Sequence, residues 1–539
     1  MNIKRKVLAL LTALTLALSS AAPFAVLAAD EETAPEITVI EAAAPEPEEI
    51  TEAEEPEEES PEEVNAAVEL FAADGDTEQS SEHVASVELS DGTTYYYTTL
   101  AAAVTYASGI TGTVTTTITL LSDITLTDKV TITNTTNTLK NYLVLDLNGK
   151  TITGNVTDDY ALYLGASNNN GYVTVKNGTI NAGDSAYGAI QIDGEYVQLD
   201  TLTLTSKTAG HGTVLVNAVK GNNTAPSTFT DLTINTVDGA CMETAAGTVA
   251  NTNYLYMDGT NTFTQTMSNG TQASADNKSA ALYLGDCSTV LYVRSTATLN
   301  WTSEGYGVYF AGGNSKLPKV YIYGGGKISG ELGGVYIGSE ITSTLSFCVY
   351  AGSTIAVYGG LTSEATSLSN GGYTIYAGTY EYDLDSSYIP SGYACELDTD
   401  TTSDTYGLYV INEVILAEVY NGSTLVGQYN SLSGAITAAN AGYTVKLVKD
   451  INIVSSITIS KNITIDMNGF NITYSRAATS NYVFNLNTSG SKNTLTLTNS
   501  KLTGGVITNA SNNSDADCVA FISRGHLVVE DGVSLYSVN

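Results

Sequence analysis

The sequence predicts an all-β fold, a right-handed parallel β-helix built as two tandem modules. Three observations carry that reading. Short strand-like segments recur with a period in the twenties. Helical periodicity is nearly absent between them. Three blocks near residue 91 return in the same order near residue 421.

The short period is clearest in segments that alternate apolar and polar residues and are rich in Val, Ile, Thr and Tyr. Ala161-Leu162-Tyr163-Leu164-Gly165, Ala281-Leu282-Tyr283-Leu284-Gly285, Gly307-Val308-Tyr309-Phe310 and Gly334-Val335-Tyr336-Ile337-Gly338 are variants of one pattern. Tyr283, Tyr309 and Tyr336 are almost evenly spaced along the chain. Other short strands, such as Tyr172–Val175 and Val197–Asp200, lie between Gly, Asn and Asp turns. Two or three short strands per period suit one coil of a solenoid, in which each strand stacks in parallel on its equivalent in the next coil. An array of β-sandwiches needs antiparallel hairpins and repeats of domain length. The stretch from Thr98 to Val410 has no linker at which to divide it.

The long repeat defines the modules. Asp91-Gly92-Thr93-Thr94 with Tyr97–Val104 matches Asn421-Gly422-Ser423-Thr424 with Tyr429–Ile436. Leu120–Ile124 matches Leu447–Ile451, and Leu145–Ile152 matches Ile465–Ile472. Ala-rich stretches at Leu100–Ala107 and Leu432–Ala439 precede the first strand of each module. A solenoid end exposes apolar interior and unpaired backbone, so a capping helix is expected at both places. The boundaries follow as module 1 over 85–412 and module 2 over 413–539. Module 2 holds fewer coils after its Asn-Gly turn and reads as truncated.

Two segments precede the modules. Residues 1–28 fit a secretory signal peptide: Lys4, Arg5 and Lys6, then an apolar run from Val7 to Leu18, then small residues ending at Ala28. That run is too short to span a bilayer. Residues 29–84 read as a disordered acidic linker. Asp30 to Glu82 holds 21 acidic residues and no Lys or Arg, so self-repulsion and Pro oppose ordering. The formal net charge of −36 makes nucleic acid an unsuitable partner. The five cysteines, Cys241, Cys287, Cys348, Cys395 and Cys518, are scattered without CxxC spacing, so neither a disulfide framework nor a zinc site is indicated.

The run Leu-x-x-Ala-Val/Ile, a strand with Asp-Ile, then Leu/Ile-Asp-Leu/Met-Asn-Gly-x-x-Ile resembles the openings of pectate-lyase-like β-helix proteins. It is most similar to the large, repetitive surface proteins of Gram-positive gut bacteria that carry such modules. The resemblance covers roughly residues 85–539 and is specific for fold. For function it is broad, because that superfamily includes lyases, hydrolases and non-enzymatic adhesins.

Neither enzyme class finds its machinery. The resemblance implies calcium and clustered Arg or Lys for a lyase, which must stabilise a developing anion. After processing only Arg294, Arg476 and Arg524 remain, scattered along the chain. The hydrolases imply paired carboxylates in a series Asn-Thr-Asp, Asp-Asp, Gly-His-Gly and Arg-Ile-Lys. Asp158-Asp159 and Gly210-His211-Gly212 match two of these, while the first and last are missing. His211 instead fills the coil position of Tyr187, with Tyr306 and Tyr406 expected in the same slot. Asp398, Asp400 and Asp404 crowd one loop without a calcium-loop spacing and read as solvated turn residues. Asn148, Asn177 and Asn468 precede Gly at strand ends and read as left-handed turn residues that bond coil to coil. The expectation is therefore no catalytic, cofactor or metal site.

The 35 tyrosines admit two roles: an exposed stripe that stacks on sugars, or a ladder whose rings pack on each other. The expected function is that of a non-catalytic, secreted or cell-surface, adhesin-like protein with host or bacterial surface glycans as partners. A polysaccharide lyase or glycoside hydrolase on the same scaffold is the alternative. A groove with two converging carboxylates favours the enzyme; a flat Thr-rich flank favours the adhesin. A first rod of about a dozen coils spans some 55–60 Å.

Overall fold

The computed structural model describes residues 75–537 except 111–114, 134–140, 166–170, 194–195, 218–225, 246–252, 286–287, 312–317, 391, 476–481, 488–491, 502 and 511–517. The signal peptide, most of the acidic linker, Cys287 and Arg476 lie outside the described residues, as does the side chain of Cys518. The chain divides into two compact units, one ending at Val414 and the other starting at Ile415.

In the first unit each coil contributes one strand to each of three parallel sheets, here sheets 1, 2 and 3 in chain order. One coil runs Lys319–Ile322, Gly325–Gly330, Gly333–Ile337. Among the described residues nine coils have all three strands and a tenth has two. The fold is a parallel β-solenoid. Its coils are unequal in length, as the sheet 3 register Leu162, Ile190, Val214, Met242, Leu282, Val308 shows. Several coils exceed the mid-twenties, which leaves ten where about a dozen were expected. The rod therefore spans about 43 Å at ~4.8 Å per layer.

Vertical alignment of apolar residues holds the coils together. On sheet 1 the inward column is Ile118, Leu145, Val175, Leu199, Phe229, Met257, Val293, Ile322, Val349 and Ile375, all fully buried. On sheet 2, Phe263 and Trp301 stack inside the rod with centroids 5.0 Å apart. Each such side chain contributes about 1.5–3 kcal/mol on leaving water. The alternation of strand residues then sends the intervening Thr, Tyr, Asn and Lys outward.

The turn from sheet 1 to sheet 2 requires left-handed backbone. Asn148, Asn177, Thr201, Asp231 and Gly259 take it in successive coils, with φ between 50° and 61°. Asn468 does the same at φ 45° in the second unit. The amides reach back one coil: Asn148 Nδ2 donates to Leu120 O at 3.3 Å and Asn468 Nδ2 to Leu447 O at 2.9 Å. The structural role expected for these asparagines holds, with carbonyls as the acceptors in these two cases.

Both units open with the same cap. In the first, a hairpin of Ala85–Glu88 and Thr94–Tyr97 lies antiparallel on the first coil strand, Thr115–Leu120. Helix α1, Leu100–Ser108, follows the hairpin, with Thr99 Oγ1 accepting from Ala102 N. In the second, Ala417–Asn421 pairs antiparallel with both Thr424–Tyr429 and Thr444–Leu447. Helix α2, Leu432–Ala438, is capped by Ser431. An N-cap hydroxyl contributes about 1 kcal/mol. The helices stand where the Ala-rich stretches placed them; the hairpins were not foreseen. Ordered structure also begins inside the stretch assigned to the linker: Asp76 exchanges backbone bonds with Tyr96, and buried His83 bonds the Asp76 carboxylate at 2.8 Å. At the far end of the first unit Thr379–Tyr380 pairs antiparallel with Tyr409–Glu413, which pairs with Tyr393–Leu397. That hairpin closes the last layer. The second unit repeats the winding, with three full coils and a two-stranded fourth among the described residues.

Candidate functional site

His211 sits over Tyr187 with ring centroids 4.0 Å apart and planes 12° from parallel. The register Ile190–Val214 puts them in one column, as expected. Two other assignments to that slot need correction. Tyr306 pairs with Ala280, which pairs with Ala240 and so with Gly212, one position from His211. Tyr406 lies exposed in the closing hairpin, outside the parallel stack. A single inserted residue at a turn displaces a ring between neighbouring columns, which sequence spacing alone does not reveal.

The hydrolase-like residues do share a flank. Tyr187 N donates to Asp159 O, so Asp159, Tyr187 and His211 occupy consecutive coils, with Tyr187 in the coil between the acid and the imidazole. Asp159 pairs with Lys129 at 2.7 Å and accepts from Tyr160 N. A buried acid on this flank is Glu243. It pairs with Lys278 at 2.5 Å and accepts from Gly212 N at 2.9 Å. Burial pulls the His211 pKa below its usual value, an effect that Glu243 opposes and Lys278 reinforces. Asp159 and Glu243 are thus each held by a cation and a backbone amide.

The acidic loop is similarly self-contained. Asp398 accepts from Asp400 N and Thr405 Oγ1, and Asp400 accepts from Thr402 N and Oγ1. These bonds hold both carboxyls below the usual range. No group of three potential metal ligands occurs among the described residues. A shallow recess of about 190 Å³ beside Ser363 and Tyr388 contains Asp385, whose carboxylate is used by Ser387 N.

The tyrosines form two different constructions. On the outside of sheet 3, Tyr283, Tyr309 and Tyr336 are in register. Their centroids are 5.2 and 4.8 Å apart and their planes within 8° of parallel. Glu243 precedes them in the column and Thr362 follows. This ladder turns ring faces toward one another and ring edges toward solvent.

The outside of sheet 1 is built otherwise. Over coils six to ten the three outward columns read Tyr254-Tyr256-Asp258, Val290-Tyr292-Arg294, Lys319-Tyr321-Tyr323, Ser346-Cys348-Tyr350 and Gly372-Thr374-Tyr376. Seven of these fifteen positions are tyrosine, two are cations and one is an acid. At ~4.8 Å between strands and roughly 6.6 Å between alternate residues, the panel measures about 19 by 13 Å. Its rings are tilted: Tyr256 on Tyr292 at 88°, Tyr292 on Tyr321 at 59°, Tyr321 on Tyr350 at 79°. Tyr323 and Tyr350 stack closely, at 4.3 Å. Val290, Tyr321 and Cys348 are buried beneath the others. Burial pushes the Tyr292 hydroxyl up to about 12, so this phenol is a neutral donor at physiological pH.

Two cations edge this panel. The Arg294 guanidinium lies 4.5 Å from the Tyr256 ring centroid and bonds Asp258 at 3.1 Å. A long coil brings Asp258 beside Arg294. Lys319 is half-buried next to Val290 in register, and no described carboxylate pairs with it. Sequence reasoning missed Lys319, Glu243 and Lys278, since no local motif marks them. On sheet 2 the outward columns include Thr151, Thr179, Thr203, Thr233 and Thr262, with Thr153, Asn181, Thr205, Asn235 and Thr264 beside them. That is a Thr-rich flank.

Fold and surface together define a parallel β-solenoid with an aromatic panel on one sheet. No protein-family model matches the chain, and no curated protein or solved structure matches it. No helix among the described residues is long and apolar enough to cross a membrane.

Proposed function

We propose that this protein is an exported, non-catalytic β-solenoid of the bacterial cell surface that binds glycans through the tyrosine panel of sheet 1. The panel is the observation that carries the reading. Sugar rings offer one apolar face and a rim of hydroxyls, and tilted tyrosines offer partly exposed ring faces beside phenol donors. The sheet beneath is fixed by parallel pairing, so binding orders few side chains. Export is supported by the leader-like segment that ends at Ala28 and by the acidic stretch after it. The adhesin-like role, within the pectate-lyase-like superfamily that the module openings resemble, is supported by the Thr-rich flank and by carboxylates already engaged by cations.

The test is polysaccharide binding by the full chain. Replacing the partly exposed Tyr254 and Tyr292 together with alanine should weaken binding about tenfold or more, two stacking contacts being worth about 1–3 kcal/mol. The single tryptophan, Trp301, lies inside the first unit and reports by its fluorescence that the fold persists. Release of reducing sugar from any bound polysaccharide at a steady rate sinks the non-catalytic reading.

A further inference from the structure

The panel differs in charge from the rest of the molecule. The chain carries −36 overall, yet the fifteen outward positions hold two cations and one acid, and that acid is taken by Arg294. Lys319 is left over. Its neighbours in register and on its own strand, Val290, Ser346 and Tyr321, are all buried. Among the described residues of this unit Lys129, Lys176, Lys278 and Arg294 each hold a carboxylate, while Lys150 and the exposed Lys207 and Lys327, like Lys319, are in no ion pair but lie outside the panel. A half-buried ammonium without a counter-ion is costly in the free protein, and burial draws the Lys319 pKa downward. A bound anion removes that cost and forms a charge-assisted hydrogen bond.

We infer that the glycan recognised by the panel carries an anionic group, a carboxylate or a sulfate, that docks on Lys319 while its sugar rings lie on the partly exposed Tyr254 and Tyr292. This rests on the glycan-binding reading above and specifies its ligand. Arg294 covers Tyr256 and neutralises Asp258, so the one acid in the panel does not repel the ligand. Lys319 takes a single anion as a point charge, without the two-pronged geometry that arginine supplies.

Three polymers with one backbone test the inference: neutral dextran, carboxymethyl dextran and dextran sulfate, titrated against the full chain. An anionic polymer should bind at least tenfold tighter than dextran, with affinity falling as salt rises. Preference between carboxymethyl dextran and dextran sulfate tells which anion is read. Lys319→Met should abolish the preference, Lys319→Arg should restore part of it, and Lys207→Met, at an exposed lysine on sheet 2, should change nothing. If dextran binds as well as its derivatives, or Lys319→Met and Lys207→Met behave alike, the inference is overturned while the glycan reading stands. Failure of both anionic polymers to bind also overturns it. If anionic binding persists after Tyr254→Ala with Tyr292→Ala, the panel reading itself falls.

Discussion

The same residue, repeated from coil to coil, makes two opposite surfaces on this rod. On sheet 3, Tyr283, Tyr309 and Tyr336 lie nearly coplanar in orientation, and each ring turns its faces to its neighbours. On sheet 1, Tyr256, Tyr292 and Tyr321 meet at steep angles. The difference comes from what flanks them. The sheet 3 column has mostly small residues beside it, such as Ala281 on one side and Gly285, Ala311 and Gly338 on the other, with Tyr306 leaning on Tyr309 and Tyr336 from the side, and its own rings keep the stacking that the layer spacing imposes. The sheet 1 tyrosines fill three adjacent columns and crowd laterally; those of the middle column tilt, while Tyr323, Tyr350 and Tyr376 in the third stay within 14° of parallel from one coil to the next. A column of parallel rings stabilises layers, whereas tilted rings in a crowded field leave ring surface for a ligand.

The largest expected effect separates these roles through stability. Tyr309→Ala removes the middle rung of the ladder and its ring contacts with Tyr283, Tyr336 and Tyr306, each worth up to about 0.5–1.5 kcal/mol beyond area. With the lost burial, the first unit should lose about 2–3 kcal/mol, read by Trp301 fluorescence in urea, with glycan binding unchanged. Equal destabilisation by Tyr292→Ala would erase the distinction between ladder and panel.

A second effect tests where the ladder ends. Lys278 lies 5.8 Å from the Tyr283 ring and pairs with buried Glu243. Lys278→Met strands a carboxylate whose remaining partner is Gly212 N. Such a change costs about 1–3 kcal/mol for a partly exposed pair. Lys278→Met with Glu243→Gln should recover most of it. Failure of the double variant to recover stability would show that Lys278 acts chiefly through its covering of the ring.

How much of this was legible beforehand follows from coil length. The ladder could be read because Tyr283, Tyr309 and Tyr336 follow one another at nearly constant intervals. In the panel the step from Tyr256 to Tyr292 is much longer than those from Tyr292 to Tyr321 and from Tyr321 to Cys348, and no fixed period connects them. The interior columns, both capping helices and the left-handed Asn148, Asn177 and Asn468 depend on local pattern and were foreseen. Lys319, Glu243 and Lys278 gain their meaning from neighbours one coil away, across loops of unequal length. The cap hairpins escaped for another reason: their strands are as short as coil strands and look like them until the antiparallel register is known.

Alkaline titration addresses both surfaces together. Burial raises the hydroxyls of Tyr283 in the ladder and Tyr292 in the panel to about 12, above the ordinary value near 10. A raised pKa means that the folded form binds more protons than the unfolded form between those values. The contribution is complete below about pH 10 and is lost as pH rises toward 12. Phenolate absorbance should therefore lag behind that of free tyrosine, then rise together with unfolding. Ionisation of Tyr283 and Tyr292 near pH 10 in a still-folded chain, read as the absorbance lost in Tyr283→Phe and Tyr292→Phe, would contradict the burial of both sites.

The smallest expected effect concerns His211, whose stack on Tyr187 is a ladder of two. If the position selects a flat ring, His211→Tyr keeps the 4.0 Å contact and changes stability by less than about 1 kcal/mol. His211→Ala exposes one face of Tyr187 and should cost somewhat more, about 1 kcal/mol. The pH dependence discriminates further. Because burial lowers the folded pKa of His211, the wild type loses stability as pH falls through the unfolded value near 6.5. His211→Tyr should remove that slope. If it instead leaves the slope intact, or abolishes binding or turnover of any polysaccharide, then the imidazole has a chemical task that a ring of the same shape cannot perform.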